Sequence, residues 1–126
     1  MDIYQQLADE ATVSLATQKR DGSQILTPLW LAGHDGKLYM RTIKGSAKVL
    51  RITNFPKVSL AACTWEGDIT GQRHDAVARL MSADESLISA AEVALQAKYG
   101  AERTKMTLMM AQQGTALCYL ELSLMD

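Results

Sequence analysis

Short runs of alternating apolar and polar residues dominate this chain, broken at intervals by stretches of helical period. Residues 3–10, IYQQLADE, predict a short opening helix. Residues 12–17 alternate as a strand, and Lys19-Arg20-Asp21-Gly22 follows as a turn, Asp-Gly being hairpin chemistry. Residues 24–32 read as a second strand carrying Pro28, which lacks the N–H that a central ladder needs. That proline predicts an edge position, a bulge, or a place where the ladder opens beside a ligand. Gly33-His34-Asp35-Gly36 makes the next turn and residues 37–43 a third strand, so the three runs predict a β-meander.

The period then changes. The run AKVLRITN reads as a short helix with Ser46 as its N-cap, the hydroxyl taking up a free first-turn N–H, and Phe55-Pro56 stops it. Residues 58–65 form a fourth strand, with Val58, Leu60 and Ala62 on one face and Ala61, Cys63 and Trp65 on the other. A loop over residues 67–71 leads to a fifth strand at 75–82. Residues 83–99 predict a longer helix with Leu87, Ala91, Ala94 and Leu95 near one face, ended by Gly100. A further short helix covers 102–111 and a final apolar strand 115–124. Six strands, interrupted by a small helix and a longer one, predict a mainly β or α+β fold: a small six-stranded β-barrel with short helices.

Composition narrows the class. At 126 residues the chain is expected to be one domain, residues 1–126, and its 48% apolar and 21% charged residues are ordinary for a globular protein. No run approaches the roughly 18 apolar residues that span a bilayer, and the opening MDIYQQLADEA is too acidic and polar for a signal peptide. A cytoplasmic location without membrane contact is expected. Cys63 and Cys118 both lie in apolar segments and read as buried, reduced thiols. Neither His34 nor His74 has a partner at metal-ligand spacing, so no metal site is assigned. Ser14, Ser59 and Ser82 lack a nucleophile-elbow context, and neither a dinucleotide fingerprint nor a P-loop is present. Met106, Met109 and Met110 read as flexible packing or as part of an oligomer interface.

Charge is where the chain departs from the ordinary. Residues 36–65 contain no Asp or Glu, whereas about three would be expected from the 14 in the whole chain. The window holds Lys37, Arg41, Lys44, Lys48, Arg51 and Lys57, in a protein of formal net charge -1. A positive field this local favours a bound anion over general adhesion to nucleic acid. The few aromatic residues do not interleave with the cations as a stacking platform would, which argues against a nucleic-acid partner. The helix beginning at Ser46 is the best anion site, since its free N–H groups and positive dipole end favour a phosphate. Lys44, Lys48 and Arg51 share one face if that helix starts early, and Arg41 and Thr42 end the preceding strand at the same junction. A solvated basic face covering the barrel end is the competing reading. The stretch Gln24 to Trp30 is a second candidate, because a strand proline beside a tryptophan can expose backbone groups to a flat heterocycle. A core tryptophan beside a strand bulge is the plainer alternative there.

Read in order, DGSQILTPLW, DGKLYMRTIKGSAKVLRITNFPKVSLAAC, GDITGQRHDAVARLM, KYG and the closing YLEL resemble the pyridoxamine 5'-phosphate oxidase-like flavoproteins. The likeness covers nearly the whole chain and is greatest to the small branch of F420-dependent oxidoreductases. It implies the FMN-binding split β-barrel fold and a homodimer with two equivalent cofactor sites in the grooves between subunits. By resemblance, Thr27, Pro28, Leu29 and Trp30 lie along the isoalloxazine-type ring, and Arg41 and Thr42 lie near the ribityl and phosphate groups. Ser46 and Lys48 match the residues that hold the phosphate, and Trp65 and Arg79 reach towards the partner's cofactor. Arg51 is followed by Ile52 and Thr53, where related chains often continue with arginine. A groove for a polyglutamate tail is thinner here, and FMN needs less of it than coenzyme F420; either is implied. The expected activity is hydride transfer to or from a small planar substrate, with the substrate near Trp30 and Trp65. No side chain stands out as a general acid or base. A storage or sensor protein that binds FMN or F420 without turnover is the alternative.

Overall fold

The computed structural model describes residues 2–125. Its first helix, α1 (Ile3–Asp9), is capped by Asp2, whose carboxylate accepts the Gln5 N–H at 2.7 Å. A hairpin follows, β1 (Val13–Gln18) and β2 (Gln24–Leu29), then β3 (Ala32–His34) and β4 (Lys37–Ile43). Next come α2 (Ala47–Asn54), β5 (Lys57–Ala62), β6 (His74–Leu80), α3 (Leu87–Tyr99), α4 (Ala101–Gln112) and β7 (Leu117–Leu124). The seven strands form one antiparallel sheet in the order β2-β1-β5-β6-β7-β4-β3. The chain is a split β-barrel, a curled sheet with a few short helices, and it has seven strands where six were expected.

The extra strand comes from a break in residues 24–32. Pro28 sits opposite Ser14 on the edge strand β2, as a residue without an N–H should. Two residues later the chain leaves that edge through Trp30-Leu31 and joins the opposite edge as β3. The expected meander is therefore corrected: β2 pairs with β1 alone, and β4 pairs with β3 and along its length with β7. One dipeptide linking the two outermost strands requires the sheet to curl until its edges approach. The β3–β4 turn is as expected, with Asp35 and Gly36 at φ 51° and 80°, the positive pair that a tight two-residue hairpin needs.

Two other boundaries move. The fourth expected strand ends at Ala62, so Trp65 lies in the β5–β6 loop, beyond an isolated bridge between Cys63 and Ile69. The long helix begins at Leu87 instead of residue 83, because the Glu85 carboxylate accepts the Ser82 N–H at 2.6 Å and holds that segment as a turn.

The concave side of the sheet carries the core. Leu15, Leu38, Met40, Leu60, Leu120 and Leu122 are fully buried there, and Ile52 of α2 plugs one end. On the convex side Tyr39 and Met81 pack under Ala91 of α3. The α4 helix differs, since Arg103 is its one buried residue. Cys63 is buried and Cys118 half-buried, both as free thiols. Among the described residues no helix is long and apolar enough to cross a membrane, and no cluster of three potential metal ligands occurs.

Candidate functional site

Alternation along β4 sends Leu38, Met40 and Thr42 to the concave side and Tyr39 and Arg41 to the convex side. Where β4 ends, Arg41 and Thr42 meet the start of α2 at a cleft of about 210 Å³. Lys48, in the first turn of α2, donates through Nζ to Thr42 Oγ1 at 3.0 Å. Burial pushes the Lys48 ammonium below its ordinary pKa, and the Arg51 charge adds to this. No carboxylate among the described residues pairs with it.

The opposite end of the cleft belongs to the helices. Arg103, 3% exposed, donates through Nη1 to Glu92 Oε2 and Gln96 Oε1, both at 3.1 Å, and through Nη2 to Glu92 Oε1. Tyr119 on β7 donates its hydroxyl to the same carboxylate. Burial and the Glu92 charge push the Tyr119 phenol up to about 12, so it remains a donor. The Arg41 guanidinium stands 3.8 Å from Glu92. Burial opposes ionisation of Glu92, but the Arg103 and Tyr119 hydrogen bonds outweigh it and hold the carboxyl below its ordinary range. Three cations, Arg41, Lys48 and Arg103, thus share one end of the molecule with a single carboxylate, an arrangement that attracts an anion.

Ser46 supplies the sharpest mismatch. It occupies the N-cap position with extended backbone, and its carbonyl accepts the Leu50 N–H at 3.1 Å. Its hydroxyl does not make the expected cap bond; Oγ is buried with no hydrogen-bond partner. A buried hydroxyl left unpaired costs about 1–3 kcal/mol, and the helix start beside it has no side-chain cap.

Of the residues singled out from the sequence, Leu29, Trp30, Arg41, Thr42 and Lys48 line the cleft together, as does Trp65. Thr27 and Pro28 lie on β2 opposite Leu15 and Ser14 and do not line it, nor does Ser46. Lys44 precedes α2, so the expected three-cation face reduces to Lys48 and Arg51. Arg51 is itself drawn away, donating through Nε to Thr17 at 2.7 Å. Arg79 is held by Glu85 at 2.9 Å and Glu121 at 3.3 Å. The reading of the sequence missed Glu92 and Arg103, and it took Met106 and Met110, which line the cleft, for flexible packing or an oligomer interface. Glu92 carried a signal, as the lone charge in the otherwise uncharged and mainly apolar start of α3, LISAAEVAL.

Trp30 is fixed from behind. Its indole stacks on the Tyr99 ring at 4.4 Å and 8°. Tyr99 accepts the Leu31 N–H at 3.1 Å and donates to Ala11 O at 2.8 Å. Beside it, the Lys98 ammonium donates to the carbonyls of Ala8, Glu10 and Leu31 at 2.6–2.8 Å. Burial pulls Lys98 down to about 8, against the nearby charges of Asp9 and Glu10. The Trp30-Leu31 crossover lies outside the sheet ladder, and these two residues at the end of α3 satisfy the Leu31 N–H and carbonyl.

The sequence pattern of pyridoxamine 5'-phosphate oxidase matches residues 2–118. The chain belongs to this family. No curated protein matches it by sequence. Solved structures similar to this family member include the haem storage protein HutZ of Vibrio cholerae, with TM-score 0.69 and 14% identity over 98% of this chain and 86% of that one. An FAD-binding protein of Mesorhizobium loti gives TM-score 0.66 and 17% identity over 95% and 83%. An F420 reductase gives TM-score 0.61 and 13% identity over 100% and 96%. At these identities the likeness establishes the fold, which is thus shared by proteins named for flavin, deazaflavin and haem.

Proposed function

We propose that this chain is an oxidoreductase using FMN or coenzyme F420, with the cofactor phosphate at the β4–α2 junction and the ring along Leu29 and Trp30. The unpartnered Ser46 hydroxyl carries the reading. A buried donor beside an uncapped helix start, with Lys48 two residues on and lacking a carboxylate, fits a phosphate that supplies the missing acceptors. When bound, the cofactor supplies hydride transfer to or from a small planar substrate. The chain's own residues bind and orient. Lys48 and Ser46 hold the anionic end, and Thr42 positions the Lys48 ammonium. Arg41 adds charge near the same end, and Thr27 and Pro28 contribute backbone along the ring edge. Arg51, tethered to Thr17, is withdrawn from holding a longer anionic tail, which favours FMN.

The active unit in this reading is a homodimer. A cleft of about 210 Å³ falls below the roughly 300 Å³ at which ligand pockets begin, so one subunit encloses only part of a flavin. Exposed Leu26, Leu50 and Val93 provide apolar surface for association. The free Cys63 and Cys118 suit a reducing cytoplasm. The absorbance spectrum and mass of the molecule that copurifies test the assignment: a flavin or deazaflavin spectrum supports it, and protein that binds neither FMN nor F420 overturns it.

A second reading, cofactor storage or sensing without turnover, is favoured by one observation. The residues lining the cleft include no Asp, Glu, His or Cys to move a proton. Protein that is yellow yet inert towards reduced nicotinamides, reduced F420 and quinones would select it.

A further inference from the structure

Each of the other helices is fastened by buried apolar side chains: Leu7 on α1, Val49 and Ile52 on α2, Ala91 and Leu95 on α3. The α4 helix has none. Arg103 is its one buried residue, and Leu108 and Met109 are more than half exposed. The burial of apolar area that holds the other helices down is missing here. Space lies along the helix as well: Met106 and Met110 line the cleft of about 210 Å³, and an open space of about 550 Å³ adjoins Glu102, Lys105 and Met106. A single residue joins α4 to α3. Gly100 ends one helix and starts the other at φ 58°, a conformation that favours glycine, and nothing beyond its chain neighbours lies within 4 Å of where its Cβ would be. Polar bonds hold this uncrowded joint. Gln96 donates to Gly100 O at 3.0 Å and to Thr104 Oγ1 at 2.8 Å, across the glycine, while Glu92 and Gln96 grip Arg103 from α3. Gln96 is exposed and the Glu92 side chain is partly so, so water can take the place of these partners.

We infer that α4 is a lid that swings about Gly100, with the Arg103–Glu92 pair as its latch. Methionine suits the side that faces the cleft, because Met106 and Met110 are unbranched and repack against whatever lies beneath them. Shut, the lid leaves a cleft of about 210 Å³, too little for a flavin. Open, it lifts Arg103, Met106 and Met110 from one wall of that cleft. Cofactor entry is then a gated step, with opening ahead of binding. The hinge rests on the packing of α4 itself; what it admits rests on the cofactor reading above.

Two measurements test it, with Glu92→Gln to release the latch and Gln96→Ala, at an exposed position, to loosen the hinge. In the cofactor-free protein, amides of Ala101–Gln112 exchange hydrogen about tenfold or more faster than those of Leu87–Tyr99, because α4 opens without the core unfolding. Glu92→Gln speeds exchange in α4 about tenfold further, and Gln96→Ala about threefold. In stopped-flow mixing, the rate of FMN binding levels off with FMN concentration at the opening rate, and that plateau rises in the two variants in the same order. An ion pair with a structural role alone would speed release of FMN without raising the plateau for entry. Exchange of α4 in step with α3, an entry rate that climbs linearly, or a plateau that neither variant moves overturns the inference. Faster exchange in α4, moved by both variants, in a protein that binds neither FMN nor F420 upholds the hinge and overturns the cofactor reading instead.

Discussion

The Lys48 ammonium lies 3.0 Å from the Thr42 hydroxyl, joining the first turn of α2 to the last residues of β4. A half-buried cation answered by a neutral hydroxyl keeps donor capacity for a further acceptor. Lys48→Ala is therefore expected to weaken FMN binding by about 1.5–3 kcal/mol, the range for hydrogen bonds to charged groups. Fluorescence titration of FMN measures it, and an unchanged dissociation constant removes the phosphate from this junction.

Ser46→Ala should act with opposite signs on stability and on binding. In the cofactor-free protein it deletes a buried hydroxyl that has no partner and no cap bond to lose. A gain of about 1 kcal/mol follows, raising Tm by about 4 °C in a chain of this size. Once phosphate is the acceptor, the same change removes a hydrogen bond and weakens FMN about tenfold. Calorimetry of the free protein and titration of the same sample give both signs; a fall in Tm would mean that the hydroxyl is satisfied without ligand.

Sedimentation should give twice the chain mass of 13.8 kDa, with cofactor stoichiometry of one per chain. The cleft on one subunit is too small to enclose a flavin, so dilution that dissociates the dimer should release cofactor in parallel. A monomer that keeps its flavin contradicts the shared groove.

How far the sequence foretells the molecule follows from how far each element's partners lie along the chain. The strand over residues 37–43 was read correctly, because the apolar and polar spacing of a strand is a local property of the chain. Lys48 and Thr42 were legible for the same local reason, being a strand end and the helix start that follows it. The break at Trp30-Leu31 was not. The groups that satisfy this crossover, Lys98 and Tyr99, come from 67 and 68 residues away, and no local pattern carries that information. Ser46 was placed correctly at the helix start and misjudged in its bonding, since a preference for N-cap residues does not say where a side chain turns. The Glu92–Arg103 pair joins two helices across Gly100, whose φ of 58° sets the angle between them, and a charge lost in an apolar run was its one visible trace.

That pair also sets an acid limit. Glu92 has its carboxyl held below the ordinary 4.5 by Arg103 and Tyr119 against the opposing effect of burial. A depressed carboxyl contributes stability that is fully present above its unfolded value and is lost as pH falls through the folded one. Arg103 is 3% exposed, so losing its counter-charge leaves a buried cation poorly compensated and frees α4, which has no other buried residue. At about pH 7, Glu92→Gln should cost about 2 kcal/mol, less than the roughly 3–5 kcal/mol for a fully buried pair, because the Glu92 side chain is 38% exposed. The two proteins should then converge in Tm as pH falls below the ordinary 4.5 and through the depressed folded value, where wild-type Glu92 takes up its proton and the variant has none to gain. Parallel melting curves into the acid range locate the effect, and a gap already absent at neutral pH would show that the ion pair does not hold α4 over the cleft.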